Sequence, residues 1–279
     1  MSTVLADAHR RHPRRIEICE ANAVRLGLRS SIYSSTDGVF FGSEAKYARN
    51  AAQRALTTRR SIAQCRRGMT CKGSLCDRCS ARRARRQRRQ LLDALDSSRV
   101  RYALLWTYTI ASSPDRALGP MLRDLTKLMT AVNASGWLSS KVDGYARVIE
   151  IERPVGGWHP HGHVLLCFQN RMTRTEARAF ALTLRDRYLA AANRLGISAS
   201  TMGQHVRLVP VEQIDVAVRY VTKQHVLTKP KADGSATLSS LTMDAYTRGD
   251  ADALDLLHEV EGATYGKQLW RTAGICKPS

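Results

Sequence analysis

Tyr145-Ala-Arg-Val-Ile-Glu-Ile151 and His161-Gly-His-Val-Leu-Leu-Cys-Phe168 decide the fold, since both are strand-like and Arg153-Pro-Val-Gly-Gly157 between them carries turn residues. They predict an antiparallel hairpin. Side chains alternate across a strand, so His161 and His163 share one face and Gly162 takes the other. A turn near Gly156-Gly157 sets Glu150 opposite His163 and Glu152 opposite His161, which places a carboxylate on the histidine face. Two imidazoles and a carboxylate suit Mn²⁺ and also Zn²⁺ or Co²⁺, whereas Mg²⁺ prefers oxygen but is far more abundant in cells. The residues leave that choice open.

Working outward, Tyr102 to Ile110 reads as a strand, and Leu122, Leu125, Leu128, Met129 and Val132 recur at helical spacing. Thr173-Arg-Thr-Glu176 is a capping box that opens a helix running to Leu195 and stopping at Gly196. His205 to Val211 reads as a fourth strand. Glu212 to Gln224 has Ile214, Ala217, Val218 and Val221 at helical spacing, although its valines also suit a strand. The order βαββαβ predicts an α+β fold of ferredoxin-like type: one antiparallel sheet, helices on one face, and the histidine strand central.

Lys and Arg number 44 against 24 Asp and Glu, a net charge of +20 in 279 residues, and such an excess favours a polyanionic partner, nucleic acid before an anionic membrane. No window approaches twenty uninterrupted apolar residues and no apolar core follows the basic N-terminus, so neither a membrane span nor a secretory signal is expected. The expectation is a cytoplasmic protein with reduced thiols. Cys65, Cys71, Cys76 and Cys79 then read as a structural Zn²⁺ knuckle, with a histidine or distant cysteine as an alternative to Cys65. Cys19, Cys167 and Cys276 read as isolated thiols. Arg82, Arg83, Arg85 and Arg86 follow the knuckle on a predicted basic helix and are the candidate phosphate contacts.

Tyr220 and Lys223 are neighbours on the last predicted helix, which lets an ammonium sit beside a phenol or the phosphate it attacks. A phenol with a pKa of about 10 is a poor nucleophile at neutral pH, so a metal and a nearby cation would both help it.

In this order, from about Cys71 to Lys223, the blocks resemble the bacterial plasmid rolling-circle replication initiators (Rep) of the HUH endonuclease superfamily. Cys71-Lys-Gly-Ser-Leu-Cys76-Asp-Arg-Cys79-Ser-Ala-Arg82-Arg83 is similar to that family's C-K-x-x-x-C-x-x-C-x-x-R block, and Thr107-Tyr-Thr109 to its T-L-T strand. Glu150-Ile-Glu152 takes the place of the acidic E-[VI]-T strand, and His159-Pro-His161-Gly-His163-Val-Leu-Leu166 resembles H-P-H-x-H-V-L-[LI]. Arg219-Tyr220-Val-Thr-Lys223 resembles K-Y-x-x-K. The resemblance implies Tyr220 as nucleophile, Glu150 rather than Glu152 as the carboxylate ligand, and His159 beside the site. Two positions depart from the pattern: Gly162 stands where a hydrophobic residue is usual, and Val216 where a glutamate would serve the terminating step. Asp215, next to it, points roughly a hundred degrees away on a helix.

The function so implied is initiation of plasmid rolling-circle replication. A metal-dependent endonuclease and strand transferase nicks and rejoins one origin strand through a 5′-phosphotyrosyl intermediate. Its partners are origin DNA, single-stranded or in an extruded hairpin, and a host polymerase and helicase, since Gly262-Ala-Thr-Tyr-Gly266-Lys267-Gln268 fails the P-loop pattern. The alternatives are another HUH nuclease, a relaxase or single-strand transposase, or a non-enzymatic zinc-dependent nucleic-acid-binding protein. The expected organisation is an N-terminal arm (1–60), a zinc knuckle with basic helix (61–97), the HUH nuclease domain (98–228) and a C-terminal segment without an assigned role (229–279).

Overall fold

The computed structural model describes residues 77–223, 236–237, 240–241, 244, 248, 250–264 and 267–278. The chain divides into two compact units, one of Arg82–Ala236 with Lys267–Ser279 and one of Met1–Ala81 with Thr237–Gly266. The expected arm at 1–60 lies outside the described residues, as do Cys19, Cys65, Cys71 and Cys76 of the thiol readings.

The larger unit is built on a sheet. Its strands are β1 (Tyr102–Thr109), β2 (Gly144–Glu152), β3 (His159–Phe168), β4 (Gln204–Val209) and β5 (Trp270–Gly274). They lie in the order β4-β1-β3-β2-β5, with every neighbouring pair antiparallel. The histidine strand is therefore central, as its composition foretells: β3 is buried from Pro160 to Phe168, which only a strand covered on both faces can be. The fifth strand had no counterpart in the sequence pattern. Five residues pairing along β2 carry little periodicity, and the C-terminal segment acquires its place only from that partner.

The helices are α1 (Asp77–Ser97), α2 (Leu118–Val132), the short α3 (Trp137–Lys141), α4 (Arg174–Arg194) and α5 (Ile214–Thr222), with α6 (Ala251–Thr264) in the other unit. Helix α4 starts where its capping box requires, with the Thr173 side chain accepting from the Glu176 amide and the Glu176 carboxylate accepting from the Thr173 amide. The valine-rich segment after β4 is a helix. Asp250 caps α6 by accepting from the amides of Asp252 and Ala253, and this helix runs through Gly262 and Thr264, the start of the P-loop-like stretch.

Helices cover both faces of the sheet, not one. On one face Leu91 and Leu95 of α1 and Ala217, Val218 and Val221 of α5 join Ala103, Leu105, Ala146, Val148, Leu165 and Cys167 in a single apolar cluster. On the other, Tyr188 of α4 packs against Trp106 and Tyr108, Phe180 against Phe168, and α2 contributes seven buried side chains. The physical reason is the strand composition: β1 and β3 are apolar at odd and even positions alike, so either face left bare would expose Leu104, Trp106 and Val164 or Leu105 and Leu165. Leu91 and Leu95 join the basic helix to the apolar cluster of the larger unit.

The hairpin register also differs from expectation, by two residues. Glu150 pairs with His161 and Glu152 with His159, because the connection is centred between Val155 and Gly156 rather than at Gly156-Gly157. A slip of two preserves side-chain parity, so both carboxylates stay on the histidine face. Gly157 has φ +102 and sits against the backbone of Ser113 and Pro114, a conformation and a closeness that only glycine tolerates.

The strand beside Gly162 explains why glycine stands there. A Cβ there would run into the Tyr108 ring. Tyr108 is wholly buried, with ring centroids 4.7 Å from Trp106 and 5.6 Å from Tyr188, and burial pushes its phenol up to about 12. The aromatic cluster fills the space that a hydrophobic side chain on β3 would occupy, much as an aromatic covers a glycine across a strand pair.

Candidate active site

Three strands and one helix converge on one spot. Glu150 comes from β2, His161 and His163 from β3, Thr107 from β1, and Tyr220 with Lys223 from α5 and its C-terminal cap. Register does the placing on the sheet: Glu150 faces His161 directly and Thr107 faces His163. The apolar stripe of Ala217, Val218 and Val221 seats α5 on this same face, and Tyr220 lands over His163 with ring centroids 4.7 Å apart.

Glu150, His161 and His163 are buried, and each offers a donor atom within 4.8 Å of the others. Oε2 of Glu150 lies 2.9 Å from Nε2 of His163 and 3.3 Å from Nε2 of His161. Its other oxygen, Oε1, lies 3.1 Å from the Lys223 ammonium. Burial alone would raise the Glu150 carboxyl, but hydrogen bonds from His161 and His163 and the Lys223 charge outweigh it and hold the group well below the usual carboxylate range. Burial lowers His163 and so favours the neutral imidazole, although its hydrogen bond to Glu150 pulls the other way. An ionised carboxylate and two imidazole nitrogens, all on buried residues, are a donor set that fits a divalent cation.

The nucleophile candidate touches this trio. Oη of Tyr220 is 3.3 Å from Nε2 of His163, and the Lys223 ammonium stands 4.1 Å from the centroid of the Tyr220 ring. Lys223 is the C-cap of α5 rather than a helical residue, yet its side chain still reaches both Tyr220 and Glu150. His159 lies on the same face, one pleat out from His161, with Nδ1 2.7 Å from the Ser112 hydroxyl. Thr107, to which the sequence assigned no role, has its Oγ1 2.9 Å from Nδ1 of His163. Only the strand register reveals it, because nothing in a Thr-Tyr-Thr triplet says which imidazole it will meet.

The remaining site residues are elsewhere. Cys79 is buried in α1; Cys65, Cys71 and Cys76 lie outside the described residues. Cys167 and Cys276 are not isolated thiols: the hydrogen bond between them, with burial, pushes Cys167 up. Arg82, Arg85 and Arg86 are exposed on α1, with Arg89 on the same helical stripe opposite Leu91, while Arg83 is half-buried. Val216 is exposed, at 58%. Asp215, beside it, is paired with Arg219 and with Arg88, the latter at 2.9 Å, and the two guanidinium groups hold its carboxyl below its ordinary value. No helix among the described residues is long and apolar enough to cross a membrane.

Comparison with known proteins gives one match. The profile of a family described as replication protein covers residues 62–180, which includes α1, β1, β2 and β3 with Glu150, His161 and His163 but stops short of Tyr220. No curated protein and no solved structure matches the chain. Residues 62–180, which carry the strand pair and the Glu/His/His trio, are similar to the family described as replication protein.

Proposed function

We propose that this protein is a plasmid replication initiator that nicks and rejoins one strand of origin DNA, with Tyr220 as nucleophile, on a ferredoxin-like HUH core. The supporting observation is the meeting of Tyr220 Oη with the Glu150–His161–His163 trio, 3.3 Å from His163 Nε2, although the tyrosine lies outside the family match. Glu150, His161 and His163 would hold Mn²⁺ or Mg²⁺, which when bound supplies Lewis-acid polarisation of the scissile phosphate. Tyr220 loses its phenolic proton to solvent, and Lys223, over the ring, favours the phenolate. Oη attacks phosphorus, the bond to the 3′ oxygen breaks, and that oxygen takes a proton. The products are a 5′-phosphotyrosyl enzyme and a 3′-OH that primes synthesis by a host polymerase. Because the phosphodiester survives in the covalent link, rejoining needs no ATP; unwinding falls to a host helicase. Cys65, Cys71, Cys76 and Cys79 form the structural zinc knuckle, and Arg82, Arg83, Arg85 and Arg86 contact phosphates.

The test is incubation of the full chain with single-stranded origin oligonucleotide and Mn²⁺ or Mg²⁺. A covalent protein–DNA adduct and a shortened oligonucleotide are expected, both lost on chelation. Absence of any adduct with every divalent metal overturns the nicking reading and leaves a zinc-dependent DNA-binding protein.

Salt separates the basic helix from the site. Neutralising Arg85 and Arg86 to Ala should weaken single-strand binding and flatten its salt dependence by roughly 0.7 log units per log unit of salt for each phosphate that no longer meets an arginine. An unchanged slope in an equilibrium titration would remove α1 from the DNA interface.

A further inference from the structure

His163 is held at both ends of its ring. Nε2 faces Oε2 of Glu150 at 2.9 Å and Oη of Tyr220 at 3.3 Å, and Nδ1 faces Oγ1 of Thr107 at 2.9 Å. The side chain is 2% exposed, so water does not substitute for any of these partners. A neutral imidazole carries one proton, and which nitrogen bears it decides what the other can do. With the proton on Nε2, the ring donates to Glu150 and Nδ1 accepts from the threonine hydroxyl. To offer the Nε2 lone pair to a cation, the proton must sit on Nδ1, where it needs an acceptor. A hydroxyl meets both demands, because it can donate or accept at the same position.

We propose that Thr107 is a positioning residue for the metal centre: its hydroxyl fixes the ring angle of His163 and accepts the Nδ1 proton, leaving Nε2 free as a ligand. This rests on the metal-centre reading given under Proposed function. Geometry makes it specific. Thr107 is the direct cross-strand partner of His163 on β1, so the contact is set by the backbone register and not by a mobile side chain. Its neighbours on the strand, Trp106 and Tyr108, point to the opposite face and pack with Tyr188. Thr109, the next β1 residue on this face and the partner of His161, turns its hydroxyl to the Pro160 carbonyl, whereas Thr107 turns its own to the His163 ring. Outer partners of this kind typically change metal affinity by about 10–100-fold when removed.

The experiment measures Mn²⁺ affinity of the full chain without DNA, by calorimetry or by the electron paramagnetic resonance signal of free Mn²⁺. Thr107→Val keeps shape and strand preference and loses the hydroxyl; its Kd should rise about 10–100-fold. Thr107→Ser, which restores the hydroxyl, should return to near the parent affinity. Imidazole nitrogen spectra with Zn²⁺ bound should place the His163 proton on Nδ1 in the parent and in Thr107→Ser. If Thr107→Val melts early, Thr107→Ala is read in its place with the same expectation. Wild-type affinity in the valine or alanine variant overturns the proposal, as does failure of serine to restore binding. Glu150→Gln and His163→Ala are titrated alongside. If they lose Mn²⁺ while Thr107→Val does not, Thr107 alone is excluded; if the parent binds no divalent cation, the metal centre falls and Thr107 with it.

Discussion

Tyr220→Phe is expected to abolish covalent capture of the cleaved strand, by on the order of 10⁴-fold or more, while single-strand binding stays within a few-fold. The substitution removes one oxygen. The Phe ring keeps the packing of Tyr220 against the apolar cluster under α5 and its closeness to the Lys223 ammonium, so the helix has no cause to move. The hydrogen bond to His163 that disappears is worth about 1 kcal/mol net, too little to disturb binding or the trio. The check is a denaturing gel of protein incubated with labelled origin oligonucleotide, beside an equilibrium binding titration. An adduct of normal yield would move the nucleophile to another residue. Loss of both adduct and binding would mean that Tyr220 holds DNA instead of attacking it.

Gly162→Ala is expected to cost about 2–4 kcal/mol of folding stability, an unusual penalty for one methyl group. Ordinarily alanine in place of glycine in a strand is neutral or helpful, since it lowers the entropy of the unfolded chain. Here the new Cβ would enter the volume of the Tyr108 ring. That ring is wholly buried and held between Trp106 and Tyr188, the latter fixed by its hydroxyl donating to the Thr109 carbonyl at 3.1 Å. Relief therefore requires β3 itself to shift, which would also disturb His161 and His163 on its other face. Thermal or denaturant melting measures the loss. In a Tyr108→Leu background, which removes the obstructing ring, the alanine should cost far less, and the difference between the two backgrounds is the coupling energy. Equal penalties in both backgrounds would show that the ring is not what excludes a side chain at position 162.

The two residues lie on different sides of the same site, and they mark how much of it was readable beforehand. Alternation within His161-Gly-His163 places both imidazoles on one face whatever the register, so the pair was legible from two-residue periodicity. Glu150 was legible as a face-mate for the same reason: the hairpin register is off by two, and parity forgives an even slip. The capping box at Thr173 and the helical spacing around Val218 are local signals and appear where they were read. The glycine at 162, by contrast, reads from sequence as a weakened strand. Its reason is a tyrosine one strand away and a second tyrosine on α4, neither near it in sequence.

What the sequence determined by itself is therefore the elements from Tyr102 to Thr222 that carry a clear period, and their polarity: strands of period two, helices of period 3.6, caps, and a histidine face that can only look one way. Tertiary structure decided the rest, because it depends on distances between segments that no local pattern encodes. It placed helices on both faces, since strands apolar at every position leave neither face able to meet water. It recruited Trp270–Gly274 as a fifth strand, set the Glu150–His161 pairing, and brought Thr107 to the far nitrogen of His163. It also carried Tyr220, 57 residues along the chain from His163, to within 3.3 Å of it, by packing the apolar side of α5 against the sheet.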